Sequence, residues 1–317
     1  SELKAIEADL KDPKTNELYR ADKAALWMLQ AKLYMNAKVY IGTDHYADAL
    51  PILNKIIASQ YKIHSNYNEL FLADNDKNGA QNETIFSVAF DGLNTQTYGG
   101  TTFLVHAAVG GSMSPSAFGI NGGWGGIRTT SAFVNKFGSN NTDVRGNFYT
   151  DGQNKEIKTI GDFTDGYAIQ KYKNVDKNGK QGSDSTGNFC DTDFPMFRLS
   201  DVYLMYAEAT VRGASSGDMV KALDYVNKIR KRANAKAISN AELTLDFLLD
   251  ERGRELFWEC HRRTDLIRFG KFTGGSKTWQ WKGGTENGSS TESYRDLMPI
   301  PARNIQANPT LKQNLGY

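Results

Sequence analysis

The chain of 317 residues sets 38 Lys and Arg against 36 Asp and Glu, a formal net charge of +2, with 39% hydrophobic and 11% aromatic residues. That composition excludes a disordered or fibrous chain, and the length suffices for one large domain or two smaller ones with a substantial core. Balanced charge without a basic cluster supplies no field for a nucleic-acid backbone, so nucleic acid is excluded as a partner. The two cysteines, Cys190 and Cys260, have no CxxC spacing. They imply neither a zinc site nor a disulfide framework and leave a single bridge open. No run approaches the ~18 apolar residues of a membrane span. Ser1 opens on a polar stretch rather than a signal peptide, so any address or anchor is expected outside this sequence.

Residues 21–40 read as a helix, with Ala24, Leu26, Trp27, Leu29, Leu33 and Tyr34 near three- and four-residue spacing. A second helix is predicted over 45–59, its apolar face Tyr46, Ala49, Leu50, Leu53, Ile56 and Ile57, after a Gly42-Thr43-Asp44 break that supplies the cap. The hairpin pattern returns at 200–233, where Ser200 or Asp201 is expected to cap a helix bearing Val202, Tyr203, Met205, Tyr206 and Ala209. After the Gly213 to Gly217 break, Val220, Ala222, Leu223, Val226 and Ile229 mark its partner. Small Ala49 and Ala222 in equivalent places allow close helix approach, and the paired helices resemble tetratricopeptide units. Residues 246–270 read as a third helical region. Glu251, Glu255 and Glu259 stand four apart on it, and Arg252, Arg254, Arg262 and Arg268 are available to pair with them. That is an ion-pair network rather than a carboxylate active site.

Residues 85–195 are different material. Ile85 to Phe90 is β-like, and Gly- and Asn-rich loops follow, among them Asn121-Gly-Gly-Trp-Gly-Gly126; 271–296 is a second such loop. Loops of that length in a compact protein carry function or are disordered. Trp124, with two glycines on either side, is either a platform for a ligand or a plug in its own loop, and the same choice holds for Tyr98. A solvent-facing ring on a rigid loop suits a sugar, whose flat face of C–H groups stacks on it while amide, acid or Arg groups take the hydroxyls. Trp279 and Trp281 alternate across Gln280 and point to opposite sides if extended, so at most one of them meets a ligand. Trp27 and Trp258 fall on apolar helix faces and are assigned to the core.

Asp74-x-Asp76-x-Asn78-Gly79 and Asn174-x-Asp176-x-Asn178-Gly179 imitate half of a calcium loop, but Ile85 and Ser185 stand where its closing acid belongs. Asp191 and Asp193 form a further Asp-x-Asp pair, the candidate metal ligands here, with calcium the only cofactor in view and none required. Gly213-Ala-Ser-Ser-Gly217 spells a nucleophile elbow yet follows a helix, which makes it a helix end. His45, His64, His106 and His261 show no metal-ligand spacing, and no phosphate or dinucleotide fingerprint occurs.

Several longer motifs converge. Phe194-Pro-Met-Phe-Arg-Leu-Ser-Asp-Val-Tyr-Leu-Met-Tyr-Ala-Glu-Ala209 resembles the signature helix of the SusD/RagB family. Ala222 to Ala233 is similar to the helix that follows it, and Leu249-Asp-Glu-Arg-Gly-Arg-Glu-Leu-Phe-Trp-Glu259 with Arg262 to Gly270 to its third block. Met298-Pro-Ile-Pro301, Asn308-Pro309 and Gln313-Asn-Leu-Gly-Tyr317 are similar to its C-terminus. The resemblance covers the whole chain and implies a mainly α fold. In it, tetratricopeptide-like helical hairpins carry a long loop-rich, partly β segment that forms the binding face. On this scheme the chain is the C-terminal portion of one domain: 1–84 a helical repeat, 85–195 the binding segment, 196–270 the repeat with the signature helices, 271–317 a loop and tail. The lipoprotein signal, anchoring Cys and first repeats of the family would precede it.

The resemblance also implies a function. Family members are outer-membrane surface lipoproteins that bind polysaccharide without cleaving it, in nutrient uptake and polysaccharide utilization, and cap a TonB-dependent transporter. Tyr98 and Trp124 are the positions matched to the family's aromatic arc, which favours a starch-like glucan. A protein-binding repeat scaffold without a glycan site is the competing reading. A glycoside hydrolase would need two carboxyls about 5 to 9.5 Å apart in a cleft, and no such pair is visible outside the ion-paired helix.

Overall fold

The computed structural model describes residues 2–138, 142–275 and 278–317. Two compact units make up the chain, Ser1–Glu259 and Cys260–Tyr317. The first is built on helices α1 (Lys23–Met35), α2 (Tyr46–Ile57), α3 (Gly100–Ala108), α4 (Leu199–Val211), α5 (Met219–Arg232) and α6 (Leu245–Leu256). Two short antiparallel ladders accompany them: β1 (Thr84–Val88) with β4 (Phe194–Arg198), and β2 (Phe148–Tyr149) with β3 (Ala168–Ile169).

Helix α1 starts where Asp22 Oδ1 accepts the backbone N–H of Ala24 at 2.8 Å and of Ala25 at 3.1 Å. It buries Ala24, Met28, Ala31 and Met35 against α2, and Leu29 and Leu33 remain exposed, so the helix is apolar on both faces and only one meets the core. The predicted helix over 21–40 breaks at Asn36, whose side-chain amide donates to Lys32 O at 2.8 Å and competes with the main-chain ladder. Helix α2 begins at Tyr46 with His45, not Asp44, in the cap position, and the His45 side chain makes no cap bond. Trp27 is half-buried rather than core: its Nε1 donates to Glu7 at 2.8 Å, and Lys55 lies 5.1 Å over the ring.

Helix α4 is buried on nearly all sides and packs against α2, α5 and α6. The stretch 194–198, the start of the family-like motif that runs to Ala209, is strand β4: Phe194 and Phe197 pair across to Val88 and Phe86, and the Pro195 nitrogen has no hydrogen to donate. Ser200 and Asp201 do not cap it; Asp201 is buried and paired with Lys32 at 2.6 Å and Arg252 at 2.8 Å. Helix α5 is capped by Asp218 and buries Ala222, Val226 and Ile229.

The predicted helix over 246–270 is two helices. Helix α6 ends at Leu256, Trp258 and Cys260 have left-handed backbone (φ +59° and +64°), and α7 (Arg262–Arg268) follows. The interruption serves packing. Phe257 O accepts from Lys171 Nζ, Trp258 O accepts from the Tyr172 hydroxyl at 3.3 Å, and half-buried Trp258 packs on a second core of Tyr67, Phe71, Phe118 and Tyr172. Cys190 is buried and Cys260 exposed, both as free thiols.

Glu251, Glu255 and Glu259 do form an ion-pair network, and distant elements also supply cations to it. Arg198 meets Glu83, Glu255 and Glu259 at 2.7, 3.0 and 2.7 Å, Arg145 meets Glu251 at 2.9 Å and Glu255 at 3.1 Å, and Lys171 meets Glu259 at 2.7 Å. Of the four arginines named from the sequence, Arg254 pairs with Glu251, whereas Arg252 pairs with Asp201 and Arg268 with Asp265. Burial acts to raise the pKa of Glu255, and the guanidinium groups of Arg232, Arg198 and Arg145 outweigh it, holding the carboxyl well below the usual range.

Candidate functional site

Residues 89–193 leave the helical framework at β1 and return at β4, so one ladder ties both ends of the loop-rich excursion. Its base is sewn by aspartates. Asp193 Oδ1 accepts the N–H of Phe90 at 2.8 Å, and Asp191 accepts the N–H of Gly92 at 2.8 Å and both the N–H and hydroxyl of Ser183 at 2.6 Å. These are the two residues singled out as metal ligands; their carboxylates serve N–H and O–H donors, and among the described residues no group of three or more His, Cys, Asp or Glu gathers to hold a metal. The other calcium-like loops are turns: Asp176 Oδ1 accepts from Asn178 N and Lys180 N, and Asn174 Nδ2 donates to Gly119 O. Asp193 is 4% exposed, and burial pushes its carboxyl up to about 6.

The turn so anchored delivers Tyr98 to the start of α3, a helix inside the segment expected to be Gly-rich loop. Gly99 and Gly100 mask its beginning, and a Cβ on Gly100 would lie 2.0 Å from the Phe90 ring. At the other end of α3 the last turn leaves carbonyl capacity open to other donors, with His106 O taking only the N–H of Val109 locally, at 3.3 Å. The segment carrying Trp124 supplies donors: Trp124 N to His106 O at 2.8 Å, Gly125 N to Val109 O at 2.9 Å, and Gly126 N and Ile127 N to Ala107 O at 2.9 and 2.8 Å. Glycine permits this approach, since a Cβ on Gly123 would stand 2.2 Å from Val109 O. Trp124 is therefore a side chain on a segment clamped to a helix end.

Tyr98 and Trp124, distant in sequence, come together with ring centroids 6.2 Å apart and planes at 58°. Tyr98 is 63% exposed and Trp124 45% exposed, which makes them a surface and not a plug. Two rings absent from the sequence reading extend it: Phe189 lies 5.2 Å from Tyr98 at 40°, and Phe103, 45% exposed, lies 6.1 Å from Trp124 at 57°. Phe103 and His106, three apart, would have signalled the site had α3 been recognised; nothing local marks Phe189. Asp184 fixes the Phe189 loop by accepting the N–H groups of Thr186, Asn188 and Phe189 at 2.9 to 3.0 Å. Asn121 Nδ2 donates to Asn188 Oδ1 at 2.7 Å, joining this loop to that of Trp124 through amides three residues before Trp124 and one before Phe189 in the chain. The result is an angled apolar surface suited to a ligand with C–H faces.

Trp279 and Trp281 belong to the second unit and are each half-buried. Trp279 Nε1 donates to Phe272 O at 3.1 Å and its ring meets Phe272 edge-on at 5.8 Å. The chain between the two tryptophans is not extended, since Trp281 is left-handed (φ +63°) and Lys282 N bonds back to Trp279 O at 3.0 Å. Among the described residues no helix is long and apolar enough to cross a membrane.

Comparison with known proteins agrees with this architecture. Residues 141–317 match the model of the SusD family. Over its whole length the chain is 38% identical to the starch-binding protein SusD of Bacteroides thetaiotaomicron, covering 64% of that protein. It is 37% identical over 134 residues to SusD-like protein P25 of Formosa agariphila, which takes in 38% of this chain and 24% of that one. The chain thus spans less than two thirds of the length of these curated relatives. Among solved structures, surface glycan-binding protein A from Bacteroides thetaiotaomicron in complex with laminarihexaose superposes with a TM-score of 0.71 at 26% identity, over 96% of this chain and 66% of that one. A SusD superfamily protein from Parabacteroides distasonis gives a TM-score of 0.72 at 23% identity, over 99% and 67% of the two chains, and shares the fold.

Proposed function

The chain belongs to the SusD family, and we propose that it binds polysaccharide without cleaving it at the cell surface, as an outer-membrane lipoprotein that passes glycan to a TonB-dependent transporter. The observation that carries the reading is the exposed pair Tyr98 and Trp124 on hydrogen-bonded loops, widened by Phe103 and Phe189. Rings held in place before the ligand arrives lose little freedom on binding, so the gain from covering sugar C–H faces is retained. Their planes meet at 58° and 40°, a bent surface that suits a curved chain better than a flat ribbon. A starch-like α-glucan is the favoured ligand, in keeping with the name of the first relative; a β-glucan such as the laminarihexaose held by surface glycan-binding protein A is the comparison to run.

The non-catalytic part of the proposal rests on the acids. Glu251 and Glu255 are buried and held ionised by arginines, which leaves neither a proton to donate at neutral pH nor access to a sugar. Calorimetric titration of the full chain with maltoheptaose, laminarihexaose and cellohexaose tests the reading, with reducing-end release measured in parallel. Binding led by maltoheptaose without released ends is expected. Steady product formation, or no binding to any glycan, would sink it.

A further inference from the structure

The inner face of the Trp124 indole rests on His106, a residue that no sugar on the outer face would reach. We infer that His106 is the positioning residue of the platform: its ring sets the tilt of Trp124 and through it the affinity of the glycan site, an inference that rests on the glycan-binding reading above. The imidazole is 2% exposed and lies 4.9 Å from the indole with planes only 23° apart. Its Nδ1 is 2.7 Å from Gly122 O. A carbonyl only accepts, so Nδ1 carries the proton. In the neutral ring Nε2 is then a bare acceptor, and it is buried with no hydrogen-bond partner among the described residues. His106 O also accepts the N–H of Trp124 at 2.8 Å.

One residue thus holds the Trp124 segment by its main chain, by its ring edge and by its ring face. For filling volume the histidine is a poor choice, since leucine or phenylalanine would leave no polar atom stranded. What it adds is a flat wall that cannot swivel. The terminal torsion of an aromatic ring is otherwise soft, and here the Nδ1–H bond to Gly122 O fixes it. An indole that gives one face to a ligand must have its torsions set from the other face. Phe103 borders it at 57°, so the near-parallel wall is His106. A platform fixed in this way has less freedom to lose when a sugar lands.

The test measures maltoheptaose affinity of the full chain by calorimetry, together with acrylamide quenching of Trp124, isolated by difference from Trp124→Phe. His106→Asn places an amide donor near the position of Nδ1 and removes the ring. It is expected to leave the fold intact, open Trp124 to the quencher and weaken binding about two- to tenfold, the worth of one aromatic pair. His106→Phe restores the flat face without the bond to Gly122 O and should return both readouts part of the way to the parent, ahead of the Asn variant. Should the Asn variant melt early, His106→Leu fills the volume without a flat ring and serves the same comparison. Parental affinity and quenching in the Asn and Leu variants, while Trp124→Ala loses binding, overturns the role of His106 alone. So does a Phe variant no better than the Asn variant. Undiminished binding by Trp124→Ala removes the glycan site itself, and the inference with it.

Discussion

Gly122 and Gly123 are neighbours in the chain with unlike surroundings, and a methyl group added to each in turn separates a clamped platform from a loose one. A Cβ on Gly123 would lie 2.2 Å from Val109 O, 2.6 Å from its carbonyl carbon and 2.8 Å from its Cγ1, whereas one on Gly122 meets nothing within 4 Å among the described residues. Neither position has the left-handed backbone that disfavours alanine. Ordinary contact begins at 3.4 Å, so Gly123→Ala drives the loop back by roughly 1 Å. That is enough to take Trp124 N to His106 O, now 2.8 Å, and Gly125 N to Val109 O, now 2.9 Å, out of hydrogen-bond reach. Two neutral hydrogen bonds at about 1 kcal/mol each put the local loss near 2 kcal/mol. An indole displaced by that distance also loses most of its stacking, about tenfold or more in affinity. Calorimetric titration with maltoheptaose beside thermal melts of both variants checks this: Gly123→Ala should melt a few degrees lower and bind weakly, and Gly122→Ala should match the parent. Equal behaviour of the two glycine variants, whether both harmless or both harmful, refutes the reasoning.

Trp124→Ala and Tyr98→Ala should each weaken glycan binding by about 1–3 kcal/mol, roughly ten- to a hundredfold, with unchanged melting curves; unchanged affinity in the double variant would place the ligand elsewhere. Arg198→Met takes a buried cation from Glu83, Glu255 and Glu259, which keep only Arg232, Arg145 and Lys171 of the partners named above, and should cost roughly 3–5 kcal/mol in denaturant unfolding. Arg20→Ala, which breaks an exposed pair with Glu17, should change stability little; equal losses in both would contradict the burial argument. Burial raises the Asp193 carboxyl from 3.8 to about 6, so between those values the folded chain holds a proton that the unfolded chain has released, and this residue's contribution to stability falls as pH rises through the window. Asp193→Asn, measured by urea unfolding from pH 4 to 7, should gain on the parent as pH rises, by about 3 kcal/mol at most. The depressed Glu251 and Glu255 act with the opposite sign, favouring the fold above the unfolded carboxylate pKa and losing that only as pH falls below it. A pH-independent difference would show that Asp193 does not titrate there.

Local spacing was enough to read the helical hairpins. Tyr46, Ala49, Leu50, Leu53 and Ile56, and again Ala222, Val226 and Ile229, repeat at the period of a helix with one buried face, and all are buried in the structure. Flanking glycines likewise marked Trp124 as a ring without local cover. The sequence could not say where helices give way under long-range demand. Trp258 was placed on a helix face, but Lys171 and Tyr172 take the main-chain carbonyls at Phe257 and Trp258 and the helix ends. Asp201 was expected at a cap and is buried between Lys32 and Arg252. The partners of Glu255 come from Arg145, Arg198 and Arg232 on three separate elements. The platform belongs to the same class. Tyr98 and Trp124 were each legible as exposed aromatics, but their meeting, the wall made by His106 and the addition of Phe189 follow from main-chain donors of one glycine loop satisfying the open carbonyls at the end of α3. Period and composition report which face of an element is apolar; which distant residue meets it is set by the hydrogen bonds and charges left unsatisfied within each element, and those find their partners only when the chain closes on itself.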